Sequence, residues 1–351
     1  MKIAVIGAGI MGASTALAAS DRGHDVTVFE QFAINHNRGS SHGRSRIVRK
    51  AYPDAFYTEI MLTGYPMWRK LQARVTEPIL FECGLVFFGD ADNADIKSQI
   101  AGLSELGVEH QVLESTALSK IFPELILGSH EVGVYSRDAG WIHAERAVRL
   151  SLSLALSQGV NLRAMQADPH ELAREFDVVL VCAGSWAKQL FDLPNKVIQQ
   201  TFGYLEVPSP HNGPVWIEAH PDGVYGFPSE PGANTVKFGV HRDGPKVDPS
   251  EPRPPMAHDH IESLHDFARR RFGVSDPNVE DLATCLYTRT HNEDFIFGES
   301  EPGVFFASPC SGHGFKFGPW VGSLMVDFAE GKQGPSEWPR FSCHDKTKSI
   351  S

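Results

Sequence analysis

A chain of 351 residues is longer than one hydrophobic core usually carries, so two domains are expected. Hydrophobic residues at 42% and charged residues at 21% suit a soluble globular enzyme, and a formal charge of −11 disfavours a nucleic-acid or anionic-membrane surface. The five cysteines (Cys83, Cys182, Cys285, Cys310, Cys343) are widely spaced with no CxxC pair, which points away from a zinc site or disulfide framework and toward a reducing, cytoplasmic compartment.

Lys2 to Ile6 is a β-branched apolar run that Gly7 ends, well short of a signal peptide. From Ile10 to about Arg22, small residues predict a helix with Met11, Leu17 and Ala18 on one side and Gly23 closing it. Asp25 to Phe29 predicts a second strand, which completes a βαβ unit with parallel strands and a right-handed crossover. Residues 35–45 (NHNRGSSHGRS) read as a polar loop. Ala55–Arg74 and Ala94–Glu105 read as helices, with paired strands over Leu80–Gly89 between them. From Asp177, DVVLVCAG is a continuous apolar run typical of a strand buried on both faces. Residues 200–245 alternate aromatic and polar residues between turn signals (PHNGP, HPDG, SEPGAN), which predicts an antiparallel sheet. The prolines of residues 245–255 mark a surface connection before a helix at about His258–Arg271. Residues 303–308 predict a strand that runs through Cys310-Ser-Gly-His-Gly into a helix at about Trp320–Ala329, and the polar tail after Lys332 is expected on the surface. No apolar run reaches the roughly eighteen residues of a membrane span, and Ser-Ile-Ser at the end is not a peroxisomal Ser-Lys-Leu address.

Gly7-Ala8-Gly9-Ile10-Met11-Gly12 is a GxGxxG motif, weak alone but here placed between a strand and a helix, with Glu30 at the end of the second strand. Gly7 permits the tight turn, Gly9 lets backbone approach a pyrophosphate, and Gly12 lets helix and strand pack closely. The helix N-terminus offers free N–H groups to phosphate, and Glu30 can accept the ribose hydroxyls. These residues predict a dinucleotide site and leave FAD and NAD both open.

Further segments resemble one family in order along nearly the whole chain. Ser40-Ser41-His42-Gly43-Arg44-Ser45-Arg46-Ile47-Val48-Arg49-Lys50-Ala51-Tyr52 is similar to the early flavin loop of the monomeric sarcosine oxidase family, which includes N-methyltryptophan and pipecolate oxidases. Residues 177–186 (DVVLVCAGSW), Tyr225-Gly226-Phe227-Pro228, Lys237-Phe238-Gly239-Val240-His241, Cys285-Leu286-Tyr287-Thr288 and Ser311-Gly312-His313-Gly314-Phe315-Lys316-Phe317 resemble its later motifs. The resemblance implies an α/β fold with a Rossmann-type FAD domain and an α+β substrate domain built on an antiparallel sheet. Residues 1–78, 140–199 and 289–351 would form the first, and 79–139 with 200–288 the second.

It also implies FAD bonded through the sulfur of Cys285, with Ser40, Ser41, Gly312, His313, Gly314 and Lys316 beside the cofactor. Arg49 and Lys316 would hold a substrate carboxylate, and Lys237 would assist oxygen over the flavin, since an ammonium stabilises negative charge developing there. Strand alternation puts Lys237 opposite Val236 and Phe238, which by itself suits either a site residue or an outward lysine. His42 and Arg46 resemble the pair near the flavin's reactive face, and His241, Tyr225, Tyr287 and Gly312 resemble pocket residues. The chain departs from the family at Arg44, Ser45 and Arg289, and Trp216 falls near a pocket position. The implied reaction is oxidation of a secondary or N-alkyl amino acid to an imine, with oxygen reduced to hydrogen peroxide, by a monomer needing no metal. A flavin dehydrogenase of the same fold and a non-catalytic flavin-binding subunit are the alternatives.

Overall fold

In the computed structural model, which describes residues 1–230 and 232–342, the strands Lys2–Ile6 and Asp25–Glu30 pair in parallel around the helix Ile10–Asp21, as a βαβ unit requires. Pro231 of the SEPGAN turn and Cys343 lie outside the described residues. The helix differs from its expected one-sided form. It is buried at eight of its twelve positions because it packs against both Gly318–Ala329 and Ala144–Ser157, while Met11 and Ala18 are only half-buried. Gly23, at φ +79, follows its last turn as expected.

Val178–Val181, buried at all four positions, lies beside Lys2–Ile6 on one edge and Val304–Ser308 on the other, all parallel. Asn161–Ala164 extends the sheet past Asp25–Glu30, and Ile296–Glu301 closes the far edge by antiparallel pairing. The resulting six-stranded sheet draws strands from the start, middle and end of the chain.

An eight-stranded sheet runs in the order Val279–Arg289, Lys196–Glu206, Thr235–Gly239, Tyr225–Gly226, Val215–Glu218, Leu85–Asp90, Glu131–Ser136, Gln111–Glu114. It is antiparallel except where Val215–Glu218 meets Leu85–Asp90 in parallel, a departure from the all-antiparallel expectation. Those two strands are distant in sequence, so no hairpin fixes their relative direction. Val236 and Phe238 are buried in a core that includes Leu264 and Phe267 of the helix His258–Phe272.

Leu80–Gly89 is not a strand pair. Leu80–Phe81 joins Ala139–His143 and Ser45–Arg49 in a separate three-stranded sheet, whereas Leu85–Asp90 enters the eight-stranded one. Gly84, at φ +82 with its N–H on the Ala139 carbonyl, turns the chain from one sheet to the other. The tail also departs from expectation. Phe341 is fully buried, with its ring 5.3 Å from both Phe295 and Phe297, because two aromatic residues give this polar stretch an apolar face to dock. Among the described residues no helix is long and apolar enough to cross a membrane.

Candidate active site

The first strand ends at Gly7, whose φ of +97 is open to glycine and strained for other residues, and a Cβ there would sit 2.5 Å from the Cys182 carbonyl oxygen. A side chain on Gly12 would strike the Gly7 carbonyl, so helix and turn can approach closely only without one. The Glu30 carboxylate accepts from Ala8 N and from Phe32 N, each at 2.8 Å, which fixes it at the end of its strand. Ser41 Oγ accepts from Ile10 N at 3.1 Å and so ties the loop to the helix N-terminus. Gly7, Gly9, Ile10, Met11, Glu30, Ser40 and Ser41 line one cavity of about 350 Å³. A glycine turn, a helix N-terminus and an acidic residue on one wall fit the phosphates and ribose of a dinucleotide.

A second cavity of about 360 Å³ shares Ser40, Cys310 and Phe315 with the first, so the two adjoin. Arg46, Arg49, Tyr225, Lys237, His241, Cys285, Tyr287, Gly312, His313, Gly314 and Lys316 all line it. The sequence scatters them over 271 positions, from Arg46 to Lys316; sheet pairing gathers them. Cys285 and Tyr287, two apart on one strand, face the same way. Gly312 takes φ +81, and a Cβ there would lie 2.6 Å from the Tyr287 ring.

Lys237 is buried, with Nζ donating to the Ser45 carbonyl at 3.1 Å and standing 4.5 Å from the centre of the Phe202 ring. It is therefore not an outward lysine. Burial, and then the charge of Arg46, hold its ammonium well below the ordinary lysine range. Arg46 itself is pinned by carbonyls of its own loop, donating to Ser40, His42 and Ser45 at 2.8 Å each.

Arg49 is buried too. Its guanidinium lies 4.2 Å from the Tyr52 ring centre, and among the described residues Nε and Nη1 have no hydrogen-bond partner. Lys316 Nζ donates to the His313 carbonyl at 2.8 Å, and burial followed by Arg49 pushes its pKa well down. Neither cation forms an ion pair among the described residues. Two buried basic side chains, one with idle donors, are chemically suited to take an anion.

Burial raises the Cys285 thiol, against the opposing pull of Arg46 and Lys237. Tyr225 and Tyr287 bring their hydroxyls within 3.5 Å of each other, and burial pushes Tyr225 up to about 12. His313 stands 3.3 Å from the Tyr52 hydroxyl through Nδ1 and 3.1 Å from the Glu293 carbonyl through Nε2. Burial drives both His313 and His241 down, the latter to about 3.

His42 and Gly12 line neither cavity. The His42 ring is buried, with Nε2 unpartnered among the described residues, and its carbonyl accepts from Arg46. Trp216 does not reach the pocket either: it is fully buried, its ring 5.4 Å from Phe122, while its neighbour Ile217 takes the cavity wall. Sequence reasoning leaves Cys310, at the junction of the two cavities, as a structural cysteine and passes over Tyr52 beneath Arg49; Tyr52 closes one motif segment and Cys310 stands just before another. Among the described residues no cluster of His, Cys, Asp and Glu is placed to hold a metal ion.

The family described as FAD dependent oxidoreductase matches residues 2–328. The chain belongs to the FAD-dependent oxidoreductase family. Within that family it is 30% identical to the human peroxisomal sarcosine oxidase, covering 93% of this chain and 91% of the relative. It is 27% identical to an N-methyl-L-tryptophan oxidase of Salmonella heidelberg, over 93% and 94% of the two chains. Among solved structures, NikD, an unusual amino acid oxidase, superposes with a TM-score of 0.82 at 22% identity, covering 99% of this chain and 98% of that one, and so shares the fold. This FAD-dependent oxidoreductase is sarcosine oxidase-like, and the dinucleotide that its glycine turn and Glu30 suit is FAD.

Proposed function

We propose that the enzyme oxidises the C–N bond of a small secondary or N-alkyl amino acid to an imine, with oxygen as the acceptor and hydrogen peroxide as the product. The unpartnered Nε and Nη1 of Arg49 beside Lys316 carry this reading, because a buried pair of basic groups needs a carboxylate more than any neutral ligand. Bound FAD supplies the two-electron acceptor for that bond. In this reading Arg49 and Lys316 bind the carboxylate, and Tyr225, Tyr287 and Gly312 form the wall beside it. Lys237 serves oxygen, and Cys285 holds the cofactor covalently. The similarity to sarcosine and N-methyltryptophan oxidases supports the amine as the reacting group.

The FAD unit is read as residues 1–78, 140–199 and 289–351, and the substrate unit as 79–139 and 200–288. The wide spacing of the cysteines supports a cytoplasmic setting. The deciding experiment screens N-methyl and cyclic amino acids against the yellow protein without oxygen, then admits air and measures peroxide. Bleaching by at least one carboxylate-bearing amine, followed by peroxide release, is expected. Bleaching without peroxide would make the enzyme a dehydrogenase, and no bleaching by any amine would defeat the reading.

A further inference from the structure

Arg289 ends the strand that carries Cys285 and Tyr287, and its guanidinium is shared among three neighbours. Nε lies 3.0 Å from the Asp243 carboxylate, and Nη1 donates to Glu293 Oε1 at 2.8 Å. Nη2 donates to the His241 carbonyl at 2.9 Å and stands 3.2 Å from His241 Nε2. A guanidinium has donors and no acceptor, so Nε2 must contribute its lone pair. In a neutral imidazole the single hydrogen then sits on Nδ1.

Nδ1 has no partner among the described residues, yet it is not sealed in by packing, and its residue lines the second cavity. The ring is flanked by Tyr287, with centres 5.7 Å apart, and feels the charges of Arg289, Arg49 and Lys316, while the backbone N–H of His241 donates to the Asp222 carbonyl. Burial and those three cations keep the ring neutral near pH 7.

We propose that Arg289 is a positioning residue that fixes His241 as the Nδ1–H tautomer, so that the ring presents a hydrogen-bond donor, and not a base, to an anionic oxygen held by Arg49 and Lys316. This rests on the carboxylate reading above. An arginine that merely tied the strand end to the neighbouring turns through Asp243 and Glu293 would leave the tautomer of His241 unaffected.

The test uses the ¹⁵N-histidine-labelled holoenzyme and long-range ¹H–¹⁵N spectra, with the His241 signal identified by its loss in His241→Gln. The wild type should show hydrogen on Nδ1 and a bare Nε2 between pH 6 and 8. Arg289→Met should move the hydrogen to Nε2, and Arg289→Lys, which keeps a cationic donor, should restore it to Nδ1. Binding of methoxyacetate, a carboxylate without an oxidisable amine, should weaken roughly tenfold in Arg289→Met. Hydrogen on Nε2 in the wild type overturns the proposal even if Arg289→Met does not fold, and so does an unchanged tautomer in Arg289→Met. If the wild type fails to bind methoxyacetate, the carboxylate reading and the donor's destination fall together, while the spectrum alone still judges the tautomer.

Discussion

Arg49 and Lys316 set two basic groups in one buried cavity, where burial disfavours the charge of both and Arg49 further disfavours that of Lys316. In the proposed reading the folded protein bears this cost until an anion binds, so Arg49→Met should be no less stable than the wild type without ligand. The same variant should bind methoxyacetate about ten- to a hundredfold more weakly, the usual loss of a charged hydrogen bond. Thermal shifts with and without the anion check both halves; a variant that melts early yet binds normally would show Arg49 to be structural. Lys237 yields a prediction with a sign. Its folded pKa lies well below the ordinary value, so the ammonium exists below that pKa and is lost as pH rises through it. Reoxidation of the reduced enzyme by oxygen should therefore slow with rising pH across that range. Lys237→Met should be slow and flat with pH, by about a hundred- to a thousandfold at the acid end. Stopped-flow mixing with oxygenated buffer measures this, and anaerobic reduction by substrate should change much less.

Among the elements, those with a strong period or an unbroken apolar run were legible: Lys2–Ile6, Val178–Val181, Val304–Ser308 and the helix His258–Phe272 lie close to where their residues put them. The short strand Ser45–Arg49 was not, because Arg46 and Arg49 break its apolar alternation for reasons that belong to the cavity. Leu80–Gly89 misled in the opposite way: two apolar runs around Gly84 look like a hairpin, and only the partners waiting in two different sheets separate them. The tail hid its packing since Trp338 and Phe341 have no periodic neighbours. Phe341→Ala should cost about 3–5 kcal/mol, the usual loss for a buried aromatic, as read from the denaturant midpoint at constant m-value. A surface tail, as the composition alone suggests, would show almost no change. The site was legible by residue and illegible by distance. GxGxxG announced its own geometry, whereas the meeting of Arg49 with Lys316 depends on long-range pairing that no local pattern encodes.

For the whole molecule, the two adjoining cavities make one ligand a shared support of several elements, since Ser40, Cys310 and Phe315 border both. If Cys285 bonds the flavin, Cys285→Ala should lose its yellow colour on acid precipitation, while the wild-type pellet keeps it. The melting temperature of Cys285→Ala should then climb with added FAD, as mass action requires for a dissociable ligand, and that of the wild type should not. Equal dependence on added FAD in both proteins would remove the covalent assignment and leave the FAD assignment standing.

The six-stranded sheet has a consequence for how the protein is made. Its strand Lys2–Ile6 is made well before one of its neighbours, Val178–Val181, and longer still before the strand beyond that, Val304–Ser308. Until those partners are made, the nascent chain offers an open, apolar sheet edge, the kind of surface that chaperones cover and that aggregates when left bare. Of the cavity residues, Cys310, Phe315 and Lys316 come late and Arg340 later still. Both cavities therefore lack part of their wall until the chain beyond Val304–Ser308 has been made, and the oldest strand waits for a young one.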